Sequence, residues 1–468
     1  MKSVELKNVY FRYKGFQNIV LKNVNMEIDY NKITLIAGLS GSGKSTLLNL
    51  ITGIIPNEID GDIKGDIFVN GNNIKGKKLK DLSKEIGIVF QNADNQIIMP
   101  HVEEEIAFGL ENINMERFDI KKEIDNVCKI MQLDKDAKTK TLSGGEKQRL
   151  LSASIIAMNN KIIILDEPLA NIDYKGAKIL LDALNELKNK GYSIIIIEHR
   201  LDVLTPYVDD IYHVEDGYVK KIDDKNEYIL KQKIMIPDTS NINVLNEPLF
   251  KIKNLNYKIK DKTIINNLNL EINKSERLLI LGDNGQGKTT LTRILTRMIR
   301  KYDGEIIQYL NPKLKNKYRG KKWFSDIGIV YQNPNYQLFM STVEKEIEYT
   351  AKNKQIAYEM LHKFNLGKYV LRHPISLSEG EKRKLTVALT LARLPKVLIL
   401  DEPTVGQDYN SLKEMINIIN EYRNKYNTTI ITITHDIRCA DALCDKCIIL
   451  GENKIGGKEL IKEFFNIE

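Results

Sequence analysis

One pattern occurs twice in this chain, and the repetition restricts the folds that it can adopt. Gly38-Leu-Ser-Gly-Ser-Gly-Lys44-Ser45 in the first half is matched by Gly282-Asp-Asn-Gly-Gln-Gly-Lys288-Thr289 in the second. Both copies fit the phosphate-binding loop G-x-x-x-x-G-K-[ST], and each lies between a short apolar run and a helical pattern, as that loop requires. In a chain of 468 residues, this internal repeat predicts two domains of similar fold.

The residue types in each loop indicate how it would hold a phosphate. Glycine lets the backbone curl so that successive N–H groups face the phosphates, and the helix that follows adds positive potential. Lys44 and Lys288 are expected at the outer phosphates, while Ser45 and Thr289 offer hydroxyls to Mg²⁺. The predicted nucleotide contacts are Gly38, Ser40, Gly41, Gly43, Lys44, Ser45 and Thr46, and Gly282, Asn284, Gly285, Gly287, Lys288, Thr289 and Thr290.

Four aliphatic runs predict buried parallel strands in an α/β fold. Residues 162–165, 194–197, 397–400 and 429–433 are short, β-branched and followed by polar residues, which is typical of strands covered on both faces. None of them approaches the roughly 20 apolar residues of a membrane span. The start of the sequence shows no export signal, so a reducing cytoplasm is the expected compartment.

Charge and cysteine content favour no special chemistry. The net charge of +8 suits a nucleic acid or an anionic membrane surface, but the basic residues are spread along the chain, which favours a solvated surface. The spacing Cys439-x4-Cys444-x2-Cys447 resembles part of an iron–sulfur pattern. Because a fourth nearby ligand is missing, we interpret these cysteines as buried packing residues.

The patterns follow the same order in each half. An alternating antiparallel start leads to the phosphate loop and its helix, then to a helix-rich middle over residues 95–157 or 335–392, and finally back to buried strands. A hairpin is predicted over 211–219, with its turn at 215–217. The first domain is predicted over residues 1–228, a linker over 229–248 and the second domain over 249–468.

Two adjacent carboxylates follow a buried strand in each half. Asp166 and Glu167 end one such strand, Asp401 and Glu402 end the other, and a proline follows each pair. Because neighbouring side chains diverge where a chain leaves a sheet, the two carboxylates can take separate roles. Asp166 and Asp401 are predicted to hold Mg²⁺ through its water shell, and Glu167 and Glu402 to polarise the attacking water.

Two further segments carry a family resemblance. We call them the signature segments: Leu142-Ser-Gly-Gly-Glu-Lys-Gln-Arg149 and Leu377-Ser-Glu-Gly-Glu-Lys-Arg-Lys384. Together with the loops and carboxylate pairs, they make nearly the whole chain resemble an ABC ATPase. The resemblance implies ATP hydrolysis with ATP and Mg²⁺ as cofactors. It also implies an α/β fold of two tandem P-loop NTPase (ABC-type) domains, each a RecA-like parallel-sheet core with an antiparallel β subdomain and an inserted helical lobe.

The resemblance assigns roles to residues outside the loops. Gln91 and Gln332 match the glutamine loop that joins the metal to the helical lobe, and His199 and His435 match a switch histidine at the terminal phosphate. The signature residues Ser143, Gly144, Gly145, Ser378 and Gly380 open helices and form a second anion site. In the family each site lies head to tail between two domains. Site one would combine Lys44, Gln91, Asp166, Glu167 and His199 with Ser378 and Gly380, and site two Lys288, Gln332, Asp401, Glu402 and His435 with Ser143 and Gly145.

The chain departs from the family pattern at two positions. Tyr13 resembles the aromatic residue on which adenine stacks, whereas the second half places Ile259 there, with Tyr257 two residues earlier. Glu379 stands where the signature usually has glycine, and a carboxylate near a terminal phosphate repels it unless the side chain turns away. Site one is therefore expected to be slower, so that Glu402→Gln reduces turnover more than Glu167→Gln.

The residues after each glutamine loop resemble those of energy-coupling factor importer ATPases. They are Gln91-Asn-Ala-Asp-Asn-Gln96 with Val102-Glu-Glu-Glu, and Gln332-Asn-Pro-Asn-Tyr-Gln337 with Val343-Glu-Lys-Glu. This resemblance implies a peripheral protein at the cytoplasmic face of the cell membrane that serves import of a vitamin or metal ion. Its partners would be an integral membrane coupling subunit and a substrate-binding membrane subunit, with no nucleic acid. The carboxylates of Glu103, Glu104, Glu105, Glu344 and Glu346 would meet basic partner residues or simply stabilise helix starts.

Two other functions remain open from the residues. A soluble ABC translation factor also carries two such domains, and a basic chain suits ribosomal RNA. Those factors have a long charged helical arm between domains, whereas the linker here is short and contains Pro237. A tandem sugar-importer ATPase commonly has a degraded second site, whereas both catalytic glutamates are present here.

Overall fold

The structure is a computed structural model, and it describes residues 2–39, 41–170, 172–199, 201–231, 246–310 and 326–465. The chain divides into two compact parts, Met1–Lys233 and Ile234–Glu468, which we call unit 1 and unit 2. Each unit has its own sheets, helices and hydrophobic core.

Unit 1 contains a small antiparallel sheet and a larger, mainly parallel one in its described residues. Its strands are β1 Lys2–Tyr13, β2 Leu21–Asp29, β3 Lys32–Gly38, β4 Gly61–Val69, β5 Asn72–Asn73, β6 Ile86–Val89, β7 Ile162–Asp166, β8 Ser193–Ile197, β9 Asp210–Glu215 and β10 Tyr218–Ile222. The antiparallel sheet has the order β2-β1-β4-β5, and the larger sheet has the order β10-β9-β3-β8-β7-β6. Only β10 pairs antiparallel in the larger sheet.

Unit 2 repeats this arrangement. Its described strands are β11 Pro248–Ile259, β12 Lys262–Asn273, β13 Arg277–Leu281, β14 Asp303–Gln308, β15 Ile327–Val330, β16 Val397–Asp401, β17 Thr429–Ile433, β18 Lys446–Ile449 and β19 Lys454–Gly456. The sheets have the orders β12-β11-β14 and β15-β16-β17-β13-β18-β19. The larger sheet has the strand order of unit 1, read from the opposite edge. The predicted α/β fold of two similar domains is therefore confirmed.

Helices connect the parallel strands and form an inserted lobe in each unit. In unit 1 they are α1 Lys44–Ile51, α2 Ile54–Asn57, α3 Leu79–Leu82, α4 Val102–Asn112, α5 Arg117–Ile130, α6 Gly144–Ala157, α7 Tyr174–Asn189, α8 Leu201–Leu204 and α9 Lys225–Lys231. In the described part of unit 2 they are α10 Lys288–Leu295, α11 Val343–Thr350, α12 Lys354–Lys363, α13 Glu379–Ala392, α14 Tyr409–Tyr426, α15 Ile437–Ala442 and α16 Lys458–Phe465.

The aliphatic strands form the centre of each core because both of their faces are covered. In β7, Ile163 and Leu165 belong to the cluster that includes the helical lobe, whereas Ile162 and Ile164 belong to the cluster beneath the antiparallel sheet. Alternating side chains of a strand point to opposite faces, so each face of β7 needs apolar residues. Burial of one such side chain contributes about 1.5–3 kcal/mol. The polar residues of the sites begin only where these strands end.

Several predicted element boundaries agree with the structure. Strands β9 and β10 form the predicted hairpin, with Asp216 and Gly217 at φ 47° and 83°. The helix-rich middles end with α6 and α13, at Ala157 and Ala392. Helix α9 extends past residue 228, and the domain bounds stay predictions. Most of the predicted linker, 232–245 with Pro237, lies outside the described residues, so the linker stays a prediction.

Two further observations bear on chemistry and location. All four cysteines are reduced and buried, and burial raises the pKa of the Cys447 thiol to about 12. No helix in the described part of the chain is both long and apolar enough to cross a bilayer.

Candidate nucleotide sites

The phosphate loop of unit 1 connects β3 to α1. Gly38, Gly41 and Gly43 have φ values of 149°, 78° and 109°, which residues with a Cβ rarely adopt. A Cβ at Gly38 would lie 2.2 Å from the carbonyl oxygen of Val214, so the close packing against β9 also requires glycine. The loop of unit 2 has the same conformation, with Gly282, Gly285 and Gly287 at φ 146°, 82° and 93°.

A buried lysine holds each loop closed. The Nζ of Lys44 donates to the first two carbonyl oxygens of its loop, both at 2.8 Å, and that of Lys288 does so at 2.6 and 3.1 Å. Each lysine is over nine-tenths buried. Ser45 and Thr289 follow them as exposed residues in the first helical turn. Ser40 lies outside the described residues, Asn284 is exposed in its loop, and Thr290 is half-buried.

In unit 1 the end of β7 brings the predicted catalytic residues together. Glu167 follows the strand with a left-handed backbone, φ 49°. Its Oε2 accepts a hydrogen bond from Nε2 of Gln91 at 2.7 Å, and its Oε1 lies 3.5 Å from Nε2 of His199. The sequence-predicted residues Gln91, Glu167 and His199 therefore form one cluster beside Asp166.

The two carboxylates of unit 1 have opposite electrostatic surroundings. Burial raises the pKa of Asp166 to about 7, and the neighbouring Glu167 adds to the rise, while Lys44 opposes it. Burial would also raise the pKa of Glu167, but the hydrogen bond and charge of His199 hold that pKa below its ordinary value. Adjacent groups whose pKa values are pushed apart are suited to different tasks. Glu167 is thus ionised at neutral pH, whereas Asp166 keeps its proton to a higher pH than an ordinary aspartate.

In unit 2 the end of β16 brings Glu402 and His435 together in a similar way. Glu402 has φ 48°, its Oε2 accepts from the backbone N–H of His435 at 3.2 Å, and its Oε1 lies 3.7 Å from Nε2 of that histidine. Thr289 Oγ1 lies 3.5 Å from Oδ2 of Asp401. Burial raises the pKa of Asp401, against the opposing charges of Arg383 and Lys288. The predicted loop hydroxyl and strand-end carboxylate are therefore neighbours.

A second glutamine braces each glutamine loop, by which we mean residues 90–99 and 331–340. Gln96 Oε1 accepts from the N–H of Phe90 at 2.9 Å, and its Nε2 donates to the carbonyl of Ile88 at 3.0 Å. Gln337 makes the same two bonds in unit 2, at 3.0 and 2.8 Å. Both glutamines belong to the segments that resemble importer ATPases, but their bracing role was not predicted. The signal was the spacing Gln-x4-Gln in both halves.

Each signature segment starts a helix with a capping box. The Oγ of Ser143 accepts from the N–H of Glu146, whose carboxylate accepts from the N–H of Ser143 at 2.8 Å. Ser378 and Glu381 repeat the arrangement at the start of α13. Reciprocal capping fixes the first turn and leaves its remaining N–H groups directed along the helix axis. Gly144, Gly145 and Gly380 lie in these first turns, as predicted.

The carboxylate of Glu379 does turn away from the helix start. Its Oε1 pairs with Nζ of Lys382 at 3.0 Å, and the lysine side chain is only 9% exposed. A cation one turn along the same helix offsets the negative charge that the sequence suggested would repel a phosphate. The pairing reduces the repulsion on which the expectation of a slower site one is based, and the relative turnover of the two sites stays a prediction.

The adenine-stacking positions differ between the units as the sequence indicated. Tyr13 is half-buried at the end of β1, and its hydroxyl lies 2.8 Å from Oγ1 of Thr46 in α1. In the sheets Phe11 pairs with Leu21, and Tyr257 pairs with Ile265. This register places Ile259, an exposed residue at the end of β11, at the position of Tyr13.

Glu198, which lies just before His199, was not among the predicted site residues. Its side chain is 3% exposed, Oε2 accepts from the N–H of Leu169 at 2.9 Å, and Oε1 accepts from the N–H of His199 at 2.8 Å. The carboxylate therefore joins the segment after Glu167 to the histidine. No repeated motif marks it, because unit 2 has Thr434 at that position.

Two of the five predicted partner-facing glutamates have a structural role instead. Glu105 Oε2 accepts the N–H groups of Ile98 and Met99 at 2.9 and 2.7 Å. Glu346 binds the N–H groups of Phe339 and Met340 at the same distances. Both side chains are buried, so the prediction that they meet a partner is wrong. Glu103 and Glu104 are exposed, and Glu344 is half-buried.

The residues at each strand end fit Mg²⁺. The described part of the chain contains no group of three His, Cys, Asp or Glu side chains placed to hold a metal. Mg²⁺ instead suits a site with one carboxylate and a hydroxyl, because it retains several waters and takes phosphate oxygens as ligands. Asp401 and the neighbouring Thr289 are donors of this kind in unit 2, and Asp166 and Ser45 are the matching residue types in unit 1.

Comparison with known proteins gives consistent matches across the chain. A family model described as ABC transporter matches residues 21–170 and 265–405. A provisionally named ABC transporter ATP-binding protein of Methanosarcina mazei is 30% identical over 98% of this chain and 90% of its own length. The Bacillus subtilis protein provisionally named HMP/thiamine import ATP-binding protein YkoD is 28% identical over 95% and 89%. The archaeal ribosome recycling factor aABCE1, solved with ribosomal stalk protein aP1, shares the fold at 20% identity, with a TM-score of 0.70 over 98% of this chain and 92% of that chain.

Proposed function

Because the chain belongs to the ABC transporter family and is an ATPase, we propose that it energises import of a vitamin or metal ion. It acts through a separate membrane complex of the energy-coupling factor type, as a peripheral protein at the cytoplasmic face. The observation that carries the transport part of this proposal is an exposed apolar surface beside the glutamine loop, at matching positions in both units.

Hydrolysis is assigned to the strand-end clusters. When bound, Mg²⁺ supplies positive charge to the phosphates and keeps part of its own water shell. Asp166 and Asp401 hold that shell, while Lys44 and Lys288 meet the outer phosphates. Glu167 and Glu402 orient the attacking water and accept its proton, since each is an ionised or histidine-paired carboxylate. His199 and His435 hold these glutamates and contact the terminal phosphate.

Each ATP is proposed to be shared by both units. The first turns of α6 and α13 present N–H groups and a serine that are suited to an anion. Ser143 and Gly145 would complete the site of unit 2, and Ser378 and Gly380 that of unit 1. Closure follows because each helix start gains an anionic ligand that it lacks without ATP, and joining the units in one chain raises their effective concentration.

The apolar surface is built in the same way in both units. Ile98 and Phe339 occupy equivalent positions and are 67% and 65% exposed. Phe108 and Tyr349 are also equivalent and exposed, and the rings of Tyr349 and Phe339 lie 5.9 Å apart in an edge-to-face contact. Exposed apolar side chains grouped beside charged ones are typical of binding surfaces. Glu103 and Glu104 would meet basic residues of a membrane coupling subunit.

The same loop connects this surface to the nucleotide. In unit 1 the glutamine loop carries Gln91 at one end, bonded to Glu167, and Ile98 at the other, bonded to Glu105. Gln96 braces the segment between them. A displacement at Gln91 would therefore move Ile98 as part of one fixed loop. The name of the Bacillus subtilis relative supports a vitamin precursor as the cargo.

The hydrolysis assignment is tested with the catalytic glutamates. Glu167→Gln combined with Glu402→Gln keeps each side chain's shape but removes the proton acceptor. We expect ATP binding within about twofold of the wild type and turnover reduced by at least about a hundredfold, since a general base contributes 10²–10⁴-fold. Undiminished phosphate release by the double variant would refute the assignment.

The membrane partner is tested by purification from the membranes of cells that make the protein. We expect small integral membrane proteins to accompany the wild-type chain and to be lost from Ile98→Asp/Phe339→Asp. Tyr218→Asp is the matched control, because Tyr218 is an exposed aromatic residue on β10, away from the glutamine loop. Retention of the membrane proteins by the double variant would contradict the surface assignment.

The solved structures that span the whole chain favour a second candidate, a soluble ABC-family factor acting on the ribosome. The structural match to aABCE1 covers both units, and the net charge of +8 suits ribosomal RNA. The two candidates predict different companions in the same purification. Ribosomal proteins, together with salt-sensitive sedimentation with ribosomes, would replace the transport proposal by this one.

A further inference from the structure

A buried arginine lies directly under the glutamine loop of unit 2. Arg383, in α13, is 1% exposed. Its Nη1 donates to the carbonyl oxygen of Tyr331 at 2.6 Å, and its Nη2 donates to the carbonyl oxygen of Gln332. The planar guanidinium thus holds two consecutive carbonyls, a geometry that a single-donor side chain cannot match.

Unit 1 joins the same two elements in a different way. Gln148 occupies the position of Arg383, and its Nε2 makes one bond to the carbonyl of Gln91, at 3.1 Å. The next residue towards the helix start, Lys147, adds an ion pair with Asp94 of the glutamine loop at 2.5 Å. In unit 2 the equivalent of Asp94 is Asn335, and Lys382 pairs within its own helix. In unit 1 the helix is therefore joined to the glutamine loop by Gln148 and Lys147, whereas in unit 2 Arg383 makes both hydrogen bonds to the loop.

The arginine also lies among the carboxylates of the unit 2 site. Burial lowers the pKa of Arg383 to about 10, and the charges of Glu379, Asp401 and Glu402 oppose the change. The side chain is therefore a cation at neutral pH. A buried cation is stable where hydrogen bonds and nearby negative charges compensate for its lost hydration. For Arg383 the carbonyls of the glutamine loop and the carboxylates of the site provide this compensation.

We propose that Arg383 is a positioning residue for ATP hydrolysis in unit 2, fixing the backbone of the glutamine loop so that Gln332 is held at the metal and the attacking water. This inference rests on the proposed function. Arg383 acts through the backbone carbonyls of Tyr331 and Gln332, to which it donates. Because Arg383 belongs to α13, which begins at the signature serine, we expect this helix and the glutamine loop of unit 2 to move together.

The kinetic test uses a Glu167→Gln background, in which turnover reports on Glu402. Adding Arg383→Gln leaves Lys288 and its loop untouched, so KM for ATP should stay within about twofold. We expect kcat to fall about ten- to thirtyfold, because small misplacements of a positioning group act on the transition state. Arg383→Lys keeps the charge and one donor and should recover about threefold of this loss.

Arg423→Gln is the matched control. Arg423 is equally buried in unit 2, but it bonds Ser275 and Asp445 near the starts of the parallel strands. We expect it to lower the unfolding temperature and to leave kcat and KM unchanged below that temperature. A wild-type kcat in the Arg383→Gln variant, or an equal loss of kcat in Arg423→Gln, would overturn the inference.

Amide hydrogen exchange of residues 331–340 gives a readout that does not depend on activity. Arg383→Gln should speed exchange in this loop by about tenfold, as expected when a local tie worth about 1.4 kcal/mol is lost, and Arg423→Gln should not. Unchanged exchange in Arg383→Gln overturns the inference. If the Glu167→Gln background itself shows no turnover, the proposed function of unit 2 fails, and exchange alone then decides whether Arg383 fixes the loop.

Discussion

At the scale of single residues, charge compensation decides whether unit 2 can serve as an anion site. Glu379 introduces a carboxylate beside the signature serine, and Lys382 pairs with it at 3.0 Å. The lysine is largely buried, so bulk water and salt screen the pair less than a surface pair. The two residues are best regarded as one neutral group at the start of α13.

We predict that Lys382→Met lowers kcat/KM for ATP about five- to tenfold, because an unpaired Glu379 then repels the phosphate. Methionine preserves most of the aliphatic stem of lysine. Glu379→Gly alone should stay within about twofold of the wild type. In the double variant the loss should disappear, which a double-mutant cycle of steady-state ATPase rates measures. A loss that persists in the double variant would show that Lys382 acts through something other than Glu379.

A second residue-level prediction concerns pH. His213, on β9 beside the phosphate loop, accepts from or donates to the Tyr228 hydroxyl at 2.8 Å. Burial lowers its pKa, and Lys44 adds to the effect. The unfolded state therefore binds a proton at His213 more readily than the folded state does. The stability that neutral His213 contributes is fully present above the unfolded pKa, about 6.5. Below that pH the free energy of unfolding falls, by at most about 1.4 kcal/mol per pH unit.

The measurement is the unfolding temperature at pH 7.5 and 5.5, for the wild type and for His213→Asn. Asparagine can still bond to Tyr228 but does not titrate. We expect the unfolding temperature of the wild type to fall more between these two pH values than that of the variant. Equal losses would remove His213 as the source of the pH dependence.

Residue roles could be predicted where a motif repeats, and less well where packing decides. The loop lysines, strand-end carboxylates, glutamines and histidines could be found from the sequence because each pair occurs at equivalent positions of the two halves, and their roles stay predictions. Glu105 and Glu346 were misassigned because a glutamate in a first helical turn has the same sequence signal whether it faces solvent or caps a neighbouring loop. Only the backbone path shows the N–H groups of residues 98–99 and 339–340 turning inward.

At the scale of elements, those two glutamates fix the loop that precedes α4 or α11. We predict that Glu105→Ala destabilises the helical lobe of unit 1 by about 2–3 kcal/mol, because two N–H groups lose a charged acceptor. Glu103→Ala, two residues earlier in the same helix and exposed, should change stability by less than about 0.5 kcal/mol. Urea unfolding read by hydrogen exchange in α4 measures both, and equal effects would contradict the structural role.

The sequence predicted which elements exist, and in what order, more accurately than it predicted where each element ends. The buried strands were evident because alternate residues of each one serve different clusters, which demands an unbroken aliphatic run. The extension of α9 to Lys231 was not evident, since its short pattern has few apolar residues and depends on contacts such as that of Tyr228 with His213. Tertiary packing supplies most of the stability of so short a helix.

At the scale of the whole molecule, each unit has the core of an independent domain. We predict that fragments 1–233 and 234–468 each fold on their own, with cooperative unfolding by circular dichroism. Under the proposed sharing of ATP, neither fragment alone should hydrolyse ATP at more than about a tenth of the full-chain rate, and mixing should restore part of the activity in a concentration-dependent way. Full activity of a single fragment would refute the sharing of sites while leaving the fold unaffected.

The left-handed backbone at Glu167 and Glu402, with φ 49° and 48°, has a consequence for evolution and engineering. A non-glycine residue in this region is strained by about 1–3 kcal/mol, and glycine or asparagine would relieve some of that strain. Selection for thermal stability alone would therefore favour residues other than glutamate at both positions, and under the proposed mechanism the more stable protein would not hydrolyse ATP. A redesign of this chain for stability should keep both glutamates, because stability and turnover favour different residues at these two positions.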